Sequence, residues 1–212
     1  MLRYNYIAVE GNIGAGKTTL ATKISELFNG KLILEQFEGN PFLAKFYENQ
    51  EKYAFPLELS FLAERYQQLK RELANQELFS HFTISDYFLN KSLIFARKTL
   101  NSDEYHLFLT LFNIMNANLP KPDLLIHLFV ETPRLQKNIR IRGREYEQQI
   151  PDEYLMKIQE SYLDYLKQQP QLRILLLDIN MLDFVQNKTD FDKIISAMDH
   201  DYPKGITTVI LQ

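Results

Sequence analysis

The chain has 212 residues, 45% hydrophobic and 24% charged, with a formal net charge of −3, which suits one domain, or one with a small lid, around a sizeable core. With no cysteine, disulfide frameworks, thiol nucleophiles and thiolate metal sites are excluded, and the slightly acidic balance gives no bulk attraction to nucleic acid or anionic membrane. No apolar run approaches the roughly 20 residues of a membrane span, and MLRYNYIAVEG leads straight into a strand rather than a signal peptide, so a cytoplasmic protein with no nucleic-acid or membrane partner is the expectation.

Tyr6–Val9 reads as a short buried strand running into a glycine-rich loop. Thr18–Phe28 reads as a helix, with Asn29–Gly30 suited to the left-handed C-cap. Lys31–Leu34 is the next strand, and Pro41–Asn49 is expected to be helical. Pro56–Ala74 reads as a long helix with proline at its start and Leu57, Phe61, Leu62, Leu69 and Leu73 at helical spacing. Phe82–Ser85 is a strand ending at Asp86, followed by helices at Lys91–Leu100 and Asp103–Asn116. Leu124–Val130 and Arg173–Leu177 are unbroken apolar runs, the mark of strands covered on both faces. Between them lie a basic segment, Arg134–Arg144, and a helix, Asp152–Gln168. Asp190–Met198 is a last helix and Thr207–Leu211 a candidate edge strand. Strands alternating with helices predict an α/β fold, a parallel, doubly wound sheet of about five strands flanked by helices. A single domain over 1–212 is expected.

The loop Gly11, Asn12, Ile13, Gly14, Ala15, Gly16, Lys17, Thr18, Thr19 carries G-x-x-x-x-G-K-[ST] between a strand and a helix. Glycines there let backbone N–H groups turn towards phosphate oxygens, and the helix N-terminus adds the positive end of its dipole. Lys17 would reach the β/γ-phosphates and Thr18 would ligate Mg²⁺. A ligand-free strand–helix turn would not need so many constrained positions. The loop therefore signals a nucleoside triphosphate with Mg²⁺, but not where a phosphoryl group goes. A second carboxylate on the metal side is expected at another strand end. Asp86 leads, with Asp178 and Glu131 as rivals because strand-ending acids are also common N-caps.

Glu35 ends the second strand, where a carboxylate could take the proton of an attacking hydroxyl; spacing alone serves an exposed strand-end acid equally well. Glu58, Phe61 and Arg65 share one helix face, which fits a polar pocket or, more simply, a solvated face with Phe61 tucked beneath. Arg140, Arg142 and Arg144 beside a glycine fit an arginine-rich lid over triphosphate at about 134–150, a nucleic-acid patch, or a basic helix end. The phosphate loop in the same chain favours the lid.

From the first strand to about Ile179 the sequence resembles the deoxynucleoside kinases, the group with deoxycytidine, deoxyguanosine and deoxyadenosine kinases and the multisubstrate insect enzyme. Four ordered pieces carry the likeness: GNIGAGKTTL; Glu35 followed by NPFLAKFYE; YAFPLELSFLAERYQQL; and RIRGREYEQQIPDEYL. The resemblance implies a P-loop kinase fold, ATP and Mg²⁺, and transfer of the γ-phosphoryl group to the 5′-hydroxyl of a deoxynucleoside. In that likeness Glu35 is the catalytic base and Arg65 the arginine that steadies it. Tyr47 and Glu147 hold the sugar 3′-hydroxyl, with Tyr47 crowding the 2′ position. Phe95 stacks on the base, Arg142 and Arg144 are lid arginines, and the helices near Lys91–Leu100 and Asp103–Asn116 form a homodimer. Asp183 and Phe184 are possible donor-base contacts.

Two departures stand out. Glu58 replaces the glutamine that reads the base edge in the family; an ionised carboxylate only accepts hydrogen bonds, which suits guanine N1–H and N2–H₂ and leans towards a purine, unless Glu58 pairs instead with Lys91. Ser85–Asp86–Tyr87 replaces an acid–arginine–serine motif, so Asp86 takes the metal-side role and the missing positive charge is expected from the lid. A nucleoside monophosphate kinase would need further cations for the acceptor's own phosphate. A P-loop protein that transfers nothing would not need Glu35, Tyr47 and Glu147 together.

Overall fold

The computed structural model describes residues 3–36, 39–75 and 80–212. In chain order the elements are β1 (Tyr6–Gly11), α1 (Lys17–Phe28), β2 (Lys31–Ile33), α2 (Leu43–Glu48) and α3 (Gln50–Ala74). There follow β3 (Thr83–Ser85), α4 (Lys91–Thr99), α5 (Ser102–Asn116), β4 (Leu124–Phe129) and α6 (Thr132–Arg142). After a 3-10 turn at Glu145–Glu147 come α7 (Asp152–Lys167), β5 (Arg173–Asp178), α8 (Lys188–Met198) and β6 (Gly205–Ile210). These elements divide between two compact units. One takes the described residues of Met1–Leu34, Glu77–Tyr87 and Lys121–Gln212, the other those of Glu35–Gln76 and Phe88–Pro120.

The first unit is an α/β layer structure. Its sheet has six strands in the order β2-β3-β1-β4-β5-β6, every neighbouring pair parallel. Every residue of β1 is buried, as expected of a strand covered on both faces. Because all strands run the same way, Gly11, Ser85, Phe129 and Asp178 reach one edge of the sheet. The strand count is six rather than five because β6 adds to β5. Its residues alternate between half-buried and exposed, the pattern of an edge strand with one face in water, so it lacks the apolar run that marks β4.

The second unit is helical. Phe46 from α2 and Ala54, Leu57 and Phe61 from α3 form its core, with Phe42, Leu43, Tyr47, Tyr53 and Leu100 packed around them. The long helix α3 starts at Gln50 and contains Pro56, instead of starting there. A proline inside a helix forfeits one ladder bond. Here Asn49 caps the N-terminus by accepting from the Lys52 N–H at 3.1 Å, and the first turns are anchored by burying Ala54 and Leu57. Among the described residues no helix is long and apolar enough to cross a membrane.

Candidate active site

In the first unit β1 ends at Gly11 and the phosphate loop turns into α1. Gly16 has φ 90°, and a Cβ there would stand 2.8 Å from Cζ of Phe184; a Cβ on Gly11 would meet the Leu128 carbonyl at 2.7 Å. Only glycine fits either position. Neighbouring helices tie the loop down. Asn12 donates to the Leu155 carbonyl at 2.8 Å and accepts from the Ile13 N–H, while Asn138 donates to the Gly14 carbonyl at 2.8 Å. Lys17 donates to the Asn12 carbonyl at 2.9 Å, so its ammonium lies folded over the loop it heads.

Of the three acids weighed for the metal side, Asp86 is the one that meets Thr18: the hydroxyl donates to Oδ2 at 2.5 Å. Asp178 instead accepts from the backbone and side-chain N–H groups of Asn180, and Glu131 is an exposed N-cap whose N–H donates to Asn180. A hydroxyl and a carboxylate are hard oxygen donors of the kind Mg²⁺ takes together with phosphates and water. No group of three or more His, Cys, Asp or Glu fit to hold a metal occurs among the described residues.

The segment after β5 is strapped to the loop. Arg134 donates to the carbonyls of Ile179, Asn180 and Leu182. Lys23 donates to those of Phe184 at 2.8 Å and Val185 at 2.9 Å. Asp183 spends its carboxylate on the N–H groups of Val185 and Gln186, and Phe184 is buried against Gly16. Nothing in the spacing of Arg134 announced this strap, because its acceptors are backbone carbonyls far along the chain. The basic segment turns inward: Arg142 and Arg144 both donate to the buried Glu147, Arg144 at 3.3 Å. Arg140 stays exposed.

Beneath the loop, His127 of β4 pairs in register with Glu10 of β1. It is fully buried, and neither ring nitrogen has a hydrogen-bond partner among the described residues. Burial, helped by the charge of Lys17, pushes it from 6.5 down to about 3, so the imidazole is neutral. Tyr162 covers it, with ring centroids 5.0 Å apart, and donates its hydroxyl to Glu10 at 2.8 Å.

The second unit gathers Glu35, Glu58, Arg65, Lys91 and Phe95. Glu35 Oε1 accepts from Arg65 Nε at 2.8 Å and lies 2.6 Å from Nη2. Its Oε2 accepts from Lys91 Nζ at 2.5 Å. Arg65 also donates to Ser92 at 2.6 Å and lies over the Phe61 ring at 4.7 Å. The stripe Glu58, Phe61, Arg65 is therefore a buried face, at 3%, 8% and 5% exposure, and not a solvated one. Glu58 accepts from the Thr99 hydroxyl at 3.1 Å. Burial pushes its carboxyl from 4.5 up to about 7, against the opposing pull of Arg65. An ion pair of Glu58 with Lys91 is not what forms; Lys91 goes to Glu35 and lies 5.9 Å over the Phe95 ring. Arg65 and Lys91 thus both pair with Glu35, while Arg142 and Arg144 pair with Glu147. Tyr47 sits edge-on to Phe46, ring centroids 5.4 Å apart.

A phosphate loop heading a helix, with a strand-end aspartate on its threonine, over a parallel α/β sheet, defines a nucleotide-binding protein of the P-loop class. The family model for deoxynucleoside kinases matches residues 7–201, and the chain belongs to that family. Over 199 residues it is 38% identical to a deoxyguanosine kinase of Bacillus subtilis (strain 168), covering 89% of this chain and 93% of that protein. A deoxyadenosine kinase of Dictyostelium discoideum is 30% identical over 189 residues, 87% of this chain and 75% of that one. A solved deoxyadenosine kinase from M. mycoides, with the products dCMP and dCDP bound, superposes with a TM-score of 0.78 at 27% identity, covering 90% of this chain and 97% of its own. The protein is a deoxynucleoside kinase, with ATP the phosphate donor that the family implies.

Proposed function

We propose that the preferred acceptor is deoxyguanosine and that the whole chain acts as one kinase domain. The observation that carries this is Glu58, a buried carboxyl held by the hydroxyl of Thr99 where a base edge would be read. Guanine offers two adjacent donors, N1–H and N2–H₂, which Glu58 takes in its ionised form and adenine cannot supply in that pattern. The 38% identity to a deoxyguanosine kinase points the same way.

In this reading Lys17 and the loop N–H groups hold the triphosphate. Thr18 and Asp86 would hold Mg²⁺, which offsets charge on the phosphates when bound. Glu35 takes the proton of the 5′-hydroxyl, positioned by Arg65. Phe95 stacks on the base, and Tyr47 and Glu147 take the sugar 3′-hydroxyl. Arg142 and Arg144, half-exposed on Glu147, exchange part of that pairing for phosphate oxygens. The protein works as a homodimer through the face of α5 that exposes Leu107 and Ile114.

The test is γ-phosphate transfer from MgATP to each of the four deoxynucleosides and their monophosphates, beside Glu35→Gln. Deoxyguanosine should be fastest, and Glu35→Gln should lower kcat by about 10²-fold or more, the usual worth of a general base. Transfer to monophosphates alone, or a pyrimidine as the best acceptor, would overturn the assignment.

A further inference from the structure

Lys91 is the first residue of α4, only 8% exposed. That is an expensive place for an ammonium. The N-terminal end of a helix carries the positive end of the dipole, and a buried cation pays heavily for lost hydration. One guanidinium already neutralises Glu35: Arg65 approaches Oε1 with both Nε and Nη2. Glu58, another carboxyl nearby, is hydrogen-bonded to Thr99 and feels the charge of Lys91 without pairing with it. A second cation on Glu35 is therefore surplus to charge balance at that carboxylate.

We propose that Lys91 is a catalytic cation of the acceptor site, donating to the attacking 5′-hydroxyl oxygen while that hydroxyl gives its proton to Glu35. The inference rests on the reading of Glu35 as the base. Its geometry is specific. Lys91 occupies one side of Oε2, at 2.5 Å, and a carboxylate oxygen accepts a second hydrogen bond. A hydroxyl that donates to the same Oε2 comes within reach of the ammonium. Among the described residues one of the three N–H groups of Lys91 is engaged, by Glu35, which leaves donors for the incoming oxygen. The O5′–H bond breaks as its proton passes to Oε2. The O5′–P bond forms with the electron pair so released, and the bond from the γ-phosphorus to the bridging oxygen breaks, its pair leaving with the diphosphate. Lys91 and Arg65 together compensate the negative charge that gathers on the attacking side, and a compact three-donor ammonium suits an oxygen that moves during the step.

The experiment compares Lys91→Met, Lys91→Arg and Glu35→Gln for kcat and for KM towards deoxyguanosine at saturating MgATP, with thermal midpoints. Lys91→Met should lower kcat on the order of 10²-fold with KM changed less than about threefold. Its midpoint should stay level or rise, and Lys91→Arg should restore part of kcat. A raised KM with kcat intact would make Lys91 a base-binding residue and overturn the proposal. So would a Lys91→Met protein that does not fold, because the ammonium would then be needed for stability. An inactive Glu35→Gln beside an unimpaired Lys91→Met overturns this proposal alone; a fully active Glu35→Gln removes the base beneath it and overturns both.

Discussion

Burial outweighs the neighbouring guanidinium of Arg65 at Glu58, so this carboxyl changes charge near pH 7 instead of 4.5. Its two forms present different hydrogen-bonding faces. Ionised, it only accepts, which matches guanine. Protonated, it offers one O–H donor beside one carbonyl acceptor, the pattern of a carboxamide, and that matches adenine N1 and N6–H₂. Base choice should therefore drift with pH. The ratio of kcat/KM for deoxyadenosine to that for deoxyguanosine is expected to rise several-fold as pH falls from 8 to 6. In Glu58→Gln, locked in the amide pattern, the ratio should be higher and flat with pH. A wild-type ratio that does not move across this range would sink the idea. Cost decides the direction: a mismatched buried donor or acceptor loses about 1–3 kcal/mol, enough to reorder two substrates.

Among the elements, α5 shows how a helix can be well specified and still leave large apolar side chains exposed. Its start is fixed by a capping box of Asn101 and Glu104. Phe108 and Phe112 turn inward, while Leu107 at 53% and Ile114 at 63% exposure point out. Large apolar side chains repeating on the outer face of one helix favour a second copy as the cover. Leu107→Glu combined with Ile114→Glu should give monomers in sedimentation equilibrium, where the unaltered protein should sediment as a dimer; a wild-type monomer would refute the dimer. Legibility in the sequence followed the same logic of local against distant causes. The phosphate loop, β4 and β5 were readable because their signals are local: fixed glycines and unbroken apolar runs. The start of α3 was not, since Pro56 mimics an N1 proline while Asn49 and the packing of Ala54 and Leu57 set the true boundary. Asp86 was found by chemistry, an acid being the group that can face Thr18. The partner of Lys91 was out of reach because Glu35 lies far along the chain and no periodicity links the two. Similarly, the pairing of Arg142 and Arg144 with Glu147 depends on the 3-10 turn that buries that acid.

At the scale of the whole molecule, two buried groups set opposite pH slopes of stability. His127 falls from 6.5 to about 3 on folding. Between those values the unfolded chain binds a proton that the native protein refuses, so stability rises with pH up to 6.5 and is lost as pH falls towards 3. Glu58 rises from 4.5 to about 7. Between those values the native protein keeps a proton that the unfolded chain releases, so stability falls as pH climbs from 4.5 to 7. Each slope is about 1.4 kcal/mol per pH unit well inside its window. From 4.5 to 6.5 the two act together with opposite sign and cancel, leaving a plateau in their joint contribution. Removing either should tilt it. Relative to the unaltered protein, His127→Phe should gain stability as pH is lowered from 6.5, and Glu58→Gln should gain it as pH is raised from 4.5. Urea midpoints followed by circular dichroism at half-unit steps from pH 4 to 8, each variant subtracted from the parent, isolate the two terms from the other carboxylates. Difference curves that are flat for both variants, or that slope the same way, would refute the opposing pair. If the curves cross as expected, the neutral histidine under the phosphate loop and the neutral-to-ionised carboxyl of the helical unit are both held against their solution chemistry chiefly by burial, which Lys17 reinforces at His127 and Arg65 opposes at Glu58.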